Sequence, residues 1–222
     1  MQKPIFLDIG NTNTKWKYRD KYFIFPTKDF ELVNLPQCSK IWVSNVTQRI
    51  FDYRKSNATL VESKDQYKSL SSAYCDKKSL GSDRWLAMIA CYEICKNNSF
   101  ILIDIGSAVT IDFVDSLSKH QGGLIFPGLG KIRQTFDSFP LCQVENIKTL
   151  GNSTQQCWSK GTLILLVNLI NHKINELKIE SPDAHIFITG GGFEDIRNYL
   201  DFDYEYHKNL VLDGLEFFSN NM

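Results

Sequence analysis

No apolar run in this chain approaches the roughly 18 residues that would suggest a membrane-spanning helix. The longest, around Leu163 to Ile170, is broken by Asn168. Net charge is also missing, because 25 Lys and Arg balance 25 Asp and Glu among 222 residues. A general nucleic-acid binder would carry a basic surplus, so the balance argues against that class and leaves room only for a local basic patch. The start, Met1-Gln2-Lys3-Pro4, leads into a short strand-like run and then polar residues, unlike a secretory signal. The cysteines Cys38, Cys75, Cys91, Cys95, Cys142 and Cys157 contain no CxxC pair. Several sit in apolar patterns, so reduced, buried thiols in a cytoplasmic protein are expected.

Several catalytic signatures are missing as well. There is no GxxxxGK[ST] loop, and the glycines near Gly128 and Gly190 do not fit GxGxxG after a strand. No HExxH occurs, and Gly151-Asn152-Ser153-Thr154-Gln155 approaches GxSxG but lacks the last glycine. What is present is ordinary for a soluble globular chain: 43% hydrophobic and 23% charged residues. The length allows one large domain or two small ones.

Apolar periodicity predicts buried strands at Ile5-Phe6-Leu7 and from Trp42 to Ser44, with strands from Lys15 to Tyr18 and from Lys21 to Pro26. The polar, serine- and lysine-rich stretch from Ser63 to Ser79 predicts a mobile surface segment. Ser82 or Asp83 can cap a helix from Arg84 to about Lys96, with Leu86, Ile89, Ala90 and Ile94 at helical spacing. Lys96-Asn97-Asn98-Ser99 is the best boundary, dividing the chain into residues 1–97 and 98–222. Beyond it come strands at Phe100 to Ile105, Val109 to Val114 and Gly123 to Phe126. Pro127-Gly128 then breaks the pattern before a helix to about Phe136. A long helix from Thr154 to Lys178, a strand from His185 to Thr189, and helices from Phe193 to Leu200 and Asn209 to Phe218 complete the pattern.

The two parts open alike. Leu7-Asp8-Ile9-Gly10 and Ile103-Asp104-Ile105-Gly106 superimpose without a gap, and Thr14 then falls on Thr110. A strand that ends in Asp-x-Gly carries a carboxylate at its tip. Its glycine lets a ligand approach the backbone, and its turn offers N–H groups to phosphate oxygens. The carboxylate would repel phosphate unless a cation intervened, and magnesium held through Asp8, directly or through water, meets that need. Lys15 can bring positive charge to the phosphates, or be a plain solvated strand lysine. Two such hairpins facing across a cleft form the scheme of the actin-like kinases, and Thr189-Gly190-Gly191-Gly192 suits the adenosine side.

Gly81-Ser82-Asp83-Arg84 forms a second constellation at a helix start. Asp83 can be a simple helix cap. The same pair also offers a base and an anion clamp within one turn: Asp83 to orient and deprotonate a hydroxyl, Arg84 to grip a carboxylate. Those roles suit a kinase acting on a small hydroxy acid.

Together these motifs resemble the type III pantothenate kinase family. The likeness runs through Asp8-Ile9-Gly10-Asn11-Thr12-Asn13-Thr14-Lys15, Gly81 to Arg84, Asp104 to Asp112, Gly122 to Gly128, Ser153-Thr154 and Thr189-Gly190-Gly191. It implies an α/β fold of two tandem ribonuclease-H-like, actin-like ATPase domains, with mixed sheets flanked by helices. The first phosphate hairpin and the substrate motif fall in residues 1–97. The second hairpin and the adenosine-side glycines fall in 98–222. It implies ATP-dependent, cytoplasmic phosphorylation of pantothenate to 4′-phosphopantothenate by a homodimer with a shared substrate pocket, without nucleic-acid or membrane partners.

By the family pattern, Asp8 through Lys15, Ser107, Gly190 and Gly191 bind nucleotide with magnesium, and Asp83 is the base. Tyr74, Gly81, Ser82, Asp83, Arg84 and Thr154 bind pantothenate, and Asp104 holds a monovalent cation, potassium or ammonium. Ser107 departs from the usual Asp-x-Gly-Thr pattern but keeps the hydroxyl. Two other readings of the same fold stay open: a non-catalytic regulator or binding module, and a phosphohydrolase.

Overall fold

The computed structural model describes residues 3–53, 57–96 and 98–222. Strands β1 (Ile5–Ile9), β2 (Asn13–Tyr18), β3 (Lys21–Pro26), β4 (Ile41–Asn45) and β5 (Ala58–Leu60) form one sheet in the order β3-β2-β1-β4-β5. The short hairpin β6 (Gln66–Tyr67) and β7 (Leu70–Ser71) and helix α1 (Ser82–Cys95) follow. Strands β8 (Phe100–Ile105), β9 (Ala108–Val114), β10 (His120–Pro127), β11 (His185–Thr189) and β12 (Glu205–Tyr206) form a second sheet, ordered β10-β9-β8-β11-β12. Helices α2 (Leu129–Arg133) and α3 (Thr154–Glu180) precede β11, α4 (Phe193–Ile196) precedes β12, and α5 (Leu210–Ser219) ends the chain. Counted from β8, the second sheet repeats the strand order of the first. The repeat read at Asp8 and Asp104 therefore extends to a whole mixed sheet, as two ribonuclease-H-like halves require.

Proximity along the fold divides the chain into two units: Met1–Phe100 with Val114–Gly122 and Asn209–Met222, and Ile101–Phe113 with Gly123–Lys208. Met1, Gln2 and the Asn97 of the expected boundary lie outside the described residues. Helix α5, late in the sequence, belongs to the first unit. It packs on α1 so closely that a Cβ on Gly214 would sit 1.9 Å from the Leu86 carbonyl oxygen. Lys17 of β2 adds a 2.5 Å ion pair to Glu216 of α5. The Lys17 ammonium is held above its ordinary range: burial lowers it, but Glu216 and Tyr22 together more than offset this.

Alternation along β1 turns Ile5, Leu7 and Ile9 into a core with Phe30, Ile41, Val43 and Phe51. Asp8 then lies on the opposite face. In the second unit Ile101, Ile103 and Ile105 pack with Leu163, Leu166, Val167, Ile170 and Ile174 of α3, and Asp104 takes the place of Asp8. Helix α1 starts at Ser82 with Gly81 as its cap residue, two residues before the expected start, and neither Ser82 nor Asp83 caps it. The Ser82 hydroxyl is 3.0 Å from the Ser44 hydroxyl instead.

The segment from Ser63 to Ser79, expected to be mobile, is tied down. Leu70 is fully buried, the Ser63 hydroxyl donates to Leu80 O at 2.9 Å, and the Tyr67 hydroxyl donates to Glu93 of α1 at 2.8 Å. A polar composition concealed these side-chain anchors. All six cysteines are free thiols, but only Cys91 and Cys95 are buried, and Cys75 and Cys157 are exposed. Cys75 and Cys157 have the polar neighbours Asp76 and Gln156, whereas Cys91 and Cys95 lie on the buried helix α1. Among the described residues, no helix is long and apolar enough to cross a membrane.

Candidate active site

The first hairpin joins β1 to β2, with Asp8 opposite Lys15 in the antiparallel register. The Gly10 N–H donates to Asn13 O at 3.1 Å, and Asn11, Thr12 and Asn13 are exposed at the tip. Thr27, just past the end of β3, locks this turn from behind. Its N–H donates to Thr12 O at 2.9 Å and its hydroxyl donates to Gly10 O at 2.7 Å. With that proton committed, the 3.0 Å contact with the buried Thr14 hydroxyl makes Thr14 the donor there. Arg49 Nη1 in turn donates to Thr27 O. Ile9 O, at the strand end, accepts from Val46 N–H at 3.3 Å.

The substrate motif sits at the start of α1 in the same unit. Gly81 is half-buried, and a Cβ there would lie 2.6 Å from Asp83 Oδ1. Asp83 Oδ1 accepts from the Arg84 N–H at 2.7 Å, which holds the carboxylate at the positive end of the helix. Arg84 is buried, with its guanidinium 5.6 Å from the Tyr74 ring centre, and Nη1 donates to the Tyr74 hydroxyl at 2.9 Å. Behind Tyr74, His120 stacks at 6.1 Å with ring planes 5° apart. A cavity of about 370 Å³ opens beside Gly81 and Ser82, lined also by Asn45, Val46, Val61 and Leu80.

The second hairpin gathers the glycines in the other unit. Gly190 has φ +101°, and a Cβ on it would fall 2.3 Å from Ile105 O and 2.5 Å from Asp104 Oδ1. Gly192 N–H donates to Ile105 O at 2.8 Å. Gly191, by contrast, has open space where a side chain would begin. Ser107 is exposed at the turn and its carbonyl accepts from Gly128 N–H at 3.0 Å. The Tyr206 phenol is pushed up by burial and by the nearby Glu194 and Asp104 carboxylates. Thr154 is the exposed first residue of α3, behind its cap Ser153.

Gly106 N–H bonds to Ala108 O, two residues on, whereas Gly10 N–H reaches Asn13 O, three residues on. The second turn is thus one residue tighter, and the gapless overlay of the two motifs holds only as far as the glycine.

The family model for type III pantothenate kinase matches residues 33–176. A type III pantothenate kinase of Alcanivorax borkumensis is 33% identical over 240 aligned positions, covering 96% of each chain. This chain belongs to the type III pantothenate kinase family. A Campylobacter jejuni structure, described as a candidate Baf family transcriptional activator, has a TM-score of 0.68 at 26% identity over 98% of both chains. A Sinorhizobium meliloti structure, described as a candidate 2-dehydro-3-deoxygalactonokinase, has a TM-score of 0.58 at 10% identity over 96% of both chains and shows the shared fold.

In this member of the pantothenate kinase family, most residues named from sequence fall into three groups: Asp8 to Lys15 on the first hairpin, Tyr74 with Gly81 to Arg84, and Asp104 and Ser107 with Gly190 and Gly191; Thr154, at the start of α3, belongs to none of them. Thr27 and His120 were not visible in advance, since each acts through a partner distant in sequence. One signal for Thr27 exists. Pro26-Thr27 ends β3 as Pro127-Gly128 ends β10, and in each pair the second residue donates its N–H to the facing turn.

Proposed function

We propose that this chain transfers the γ-phosphoryl group of ATP to the hydroxyl of pantothenate, the first step of coenzyme A synthesis. The observation that carries this reading is the cluster at the start of α1, where Arg84 is buried and held by Tyr74 beside Asp83. Arg84 binds the pantothenate carboxylate, Tyr74 holds the guanidinium in position, and Gly81 and Ser82 line the adjoining wall. Asp83 accepts the proton as the hydroxyl oxygen bonds to γ-phosphorus and the bond to the departing ADP oxygen breaks. Thr154 completes the pantothenate contacts.

Asp8 to Lys15 and Ser107 bind the phosphates, and Gly190 and Gly191 face the adenosine. Magnesium keeps water and phosphate oxygens around one or two carboxylates; here Asp8, a buried carboxylate of β1 opposite Lys15 in the first hairpin, would hold it directly or through water. When bound, magnesium neutralises phosphate charge. Asp104, at the turn packed by Gly190, would hold potassium or ammonium. The enzyme is a cytoplasmic homodimer with a shared pantothenate pocket, and the 58% exposed Leu165 on α3 supports an outward apolar face.

A second reading, a regulator that binds the same ligands without turnover, is favoured by the description of the Campylobacter jejuni relative. Incubation with ATP, magnesium, pantothenate and potassium or ammonium decides between them. Formation of phosphopantothenate supports the kinase. Ligand binding by calorimetry with no ATP consumed under any cation supports the regulator.

A further inference from the structure

We propose that Thr27 is the positioning residue of the first phosphate hairpin, holding the turn in the conformation that presents its N–H groups to the nucleotide. The inference deepens the kinase reading and rests on it for the identity of the ligand. Four facts converge on this side chain. Thr27 is 3% exposed, its hydroxyl donates to Gly10 O at 2.7 Å, its N–H donates to Thr12 O at 2.9 Å, and Thr14 bonds back to it at 3.0 Å.

The consequence follows from peptide geometry. A trans, planar peptide points its C=O and its N–H in opposite directions, and no cis bond occurs among the described residues. Pinning Gly10 O against Thr27 therefore aims the Asn11 N–H away from Thr27. Pinning Thr12 O likewise fixes the plane that carries the Asn13 N–H. A tip of exposed Asn and Thr residues has many accessible conformers, and ordering them on binding would cost affinity. Thr27 meets that cost in the free protein.

The second half of the chain contains the same device in another form. Gly128, at the matching position after β10, donates its N–H to Ser107 O at 3.0 Å. Gly106 O fills the space of the missing side chain, 2.1 Å from where a Cβ would be. The first hairpin bridges to its turn carbonyl with a hydroxyl, and the second brings the carbonyl against the backbone itself. Two solutions at matching positions mark the contact as a requirement of the hairpin.

Thr27→Val keeps the shape and the backbone N–H and removes the hydroxyl. It should raise the KM for ATP by about tenfold or more, because the hydroxyl that is lost both donates to Gly10 O and accepts from Thr14, with the KM for pantothenate changed by less than about twofold. Thr27→Ser should restore the KM for ATP to within about threefold of the parent. Calorimetry with the non-hydrolysable analogue AMP-PNP should show the same loss and rescue. Equal changes in both KM values, an unchanged KM for ATP in Thr27→Val, or failure of Thr27→Ser to rescue would overturn the proposal. If the parent binds AMP-PNP but never phosphorylates pantothenate, the kinase reading fails, while the calorimetric series still decides the role of Thr27.

Discussion

Arg84 and Tyr74 are ten positions apart in sequence, yet the arginine Nη1 donates to the tyrosine hydroxyl at 2.9 Å. The bond holds the guanidinium of a buried side chain before any substrate arrives. A charge-assisted bond of this kind contributes about 1.5–3 kcal/mol. Tyr74→Phe should therefore raise the KM for pantothenate by about tenfold or more and leave that for ATP nearly unchanged. Arg84→Ala should raise the pantothenate requirement further. Steady-state kinetics with each substrate varied in turn checks both, and equal effects on ATP and pantothenate would remove the carboxylate-clamp assignment.

Asp83 offers a test of the chemical step. Asp83→Asn keeps size and shape and removes the base, so kcat should fall by about 10²–10⁴ with the melting temperature close to that of the parent. Activity near normal in this variant would exclude Asp83 as the proton acceptor.

Gly190 and Gly191 are neighbours with opposite tolerances. Gly190→Ala places a methyl group against Ile105 O and Asp104 Oδ1 at a positive φ, costing about 2 kcal/mol or more. Its melting temperature should drop by several degrees, together with activity at the Asp104 turn. Gly191→Ala meets open space and should melt near the parent value. Matched thermal unfolding curves for the two variants would contradict this contrast.

Gly214 tests the attachment of the last helix. Gly214→Ala drives a methyl group into the Leu86 carbonyl and should destabilise the first unit by about 1–3 kcal/mol or more. Denaturant titration followed by tryptophan fluorescence should show an earlier midpoint. A midpoint equal to that of the parent would mean that α5 does not pack on α1 at this distance.

Much of the framework was legible in advance because it is written locally. Strand β3 from Lys21 to Pro26 and strand β11 from His185 to Thr189 follow from short apolar runs between turn residues, and their bounds match the structure. The long helix from Thr154 follows from apolar residues at helical spacing, and it runs two residues further, to Glu180. The Ser63–Ser79 segment hides its order because its buried anchors, Leu70 and Tyr67, are few among polar neighbours, and the Glu93 partner of Tyr67 on α1 lies 26 positions away. The candidate site was legible as motifs but not as contacts.

The sequence by itself determined the repeated Asp-x-Gly strands at Asp8 and Asp104, the helix led by Gly81-Ser82-Asp83-Arg84, and the family to which they belong. Periodicity and turn chemistry act over a few residues and can be read without the fold. Only the tertiary structure decided that the second turn closes one residue sooner, that α5 returns to the first unit, and that Thr27 locks Gly10 as Tyr74 holds Arg84. Those contacts depend on sheet register and helix crossing, where the free energy lies in pairs of groups that no local pattern brings together.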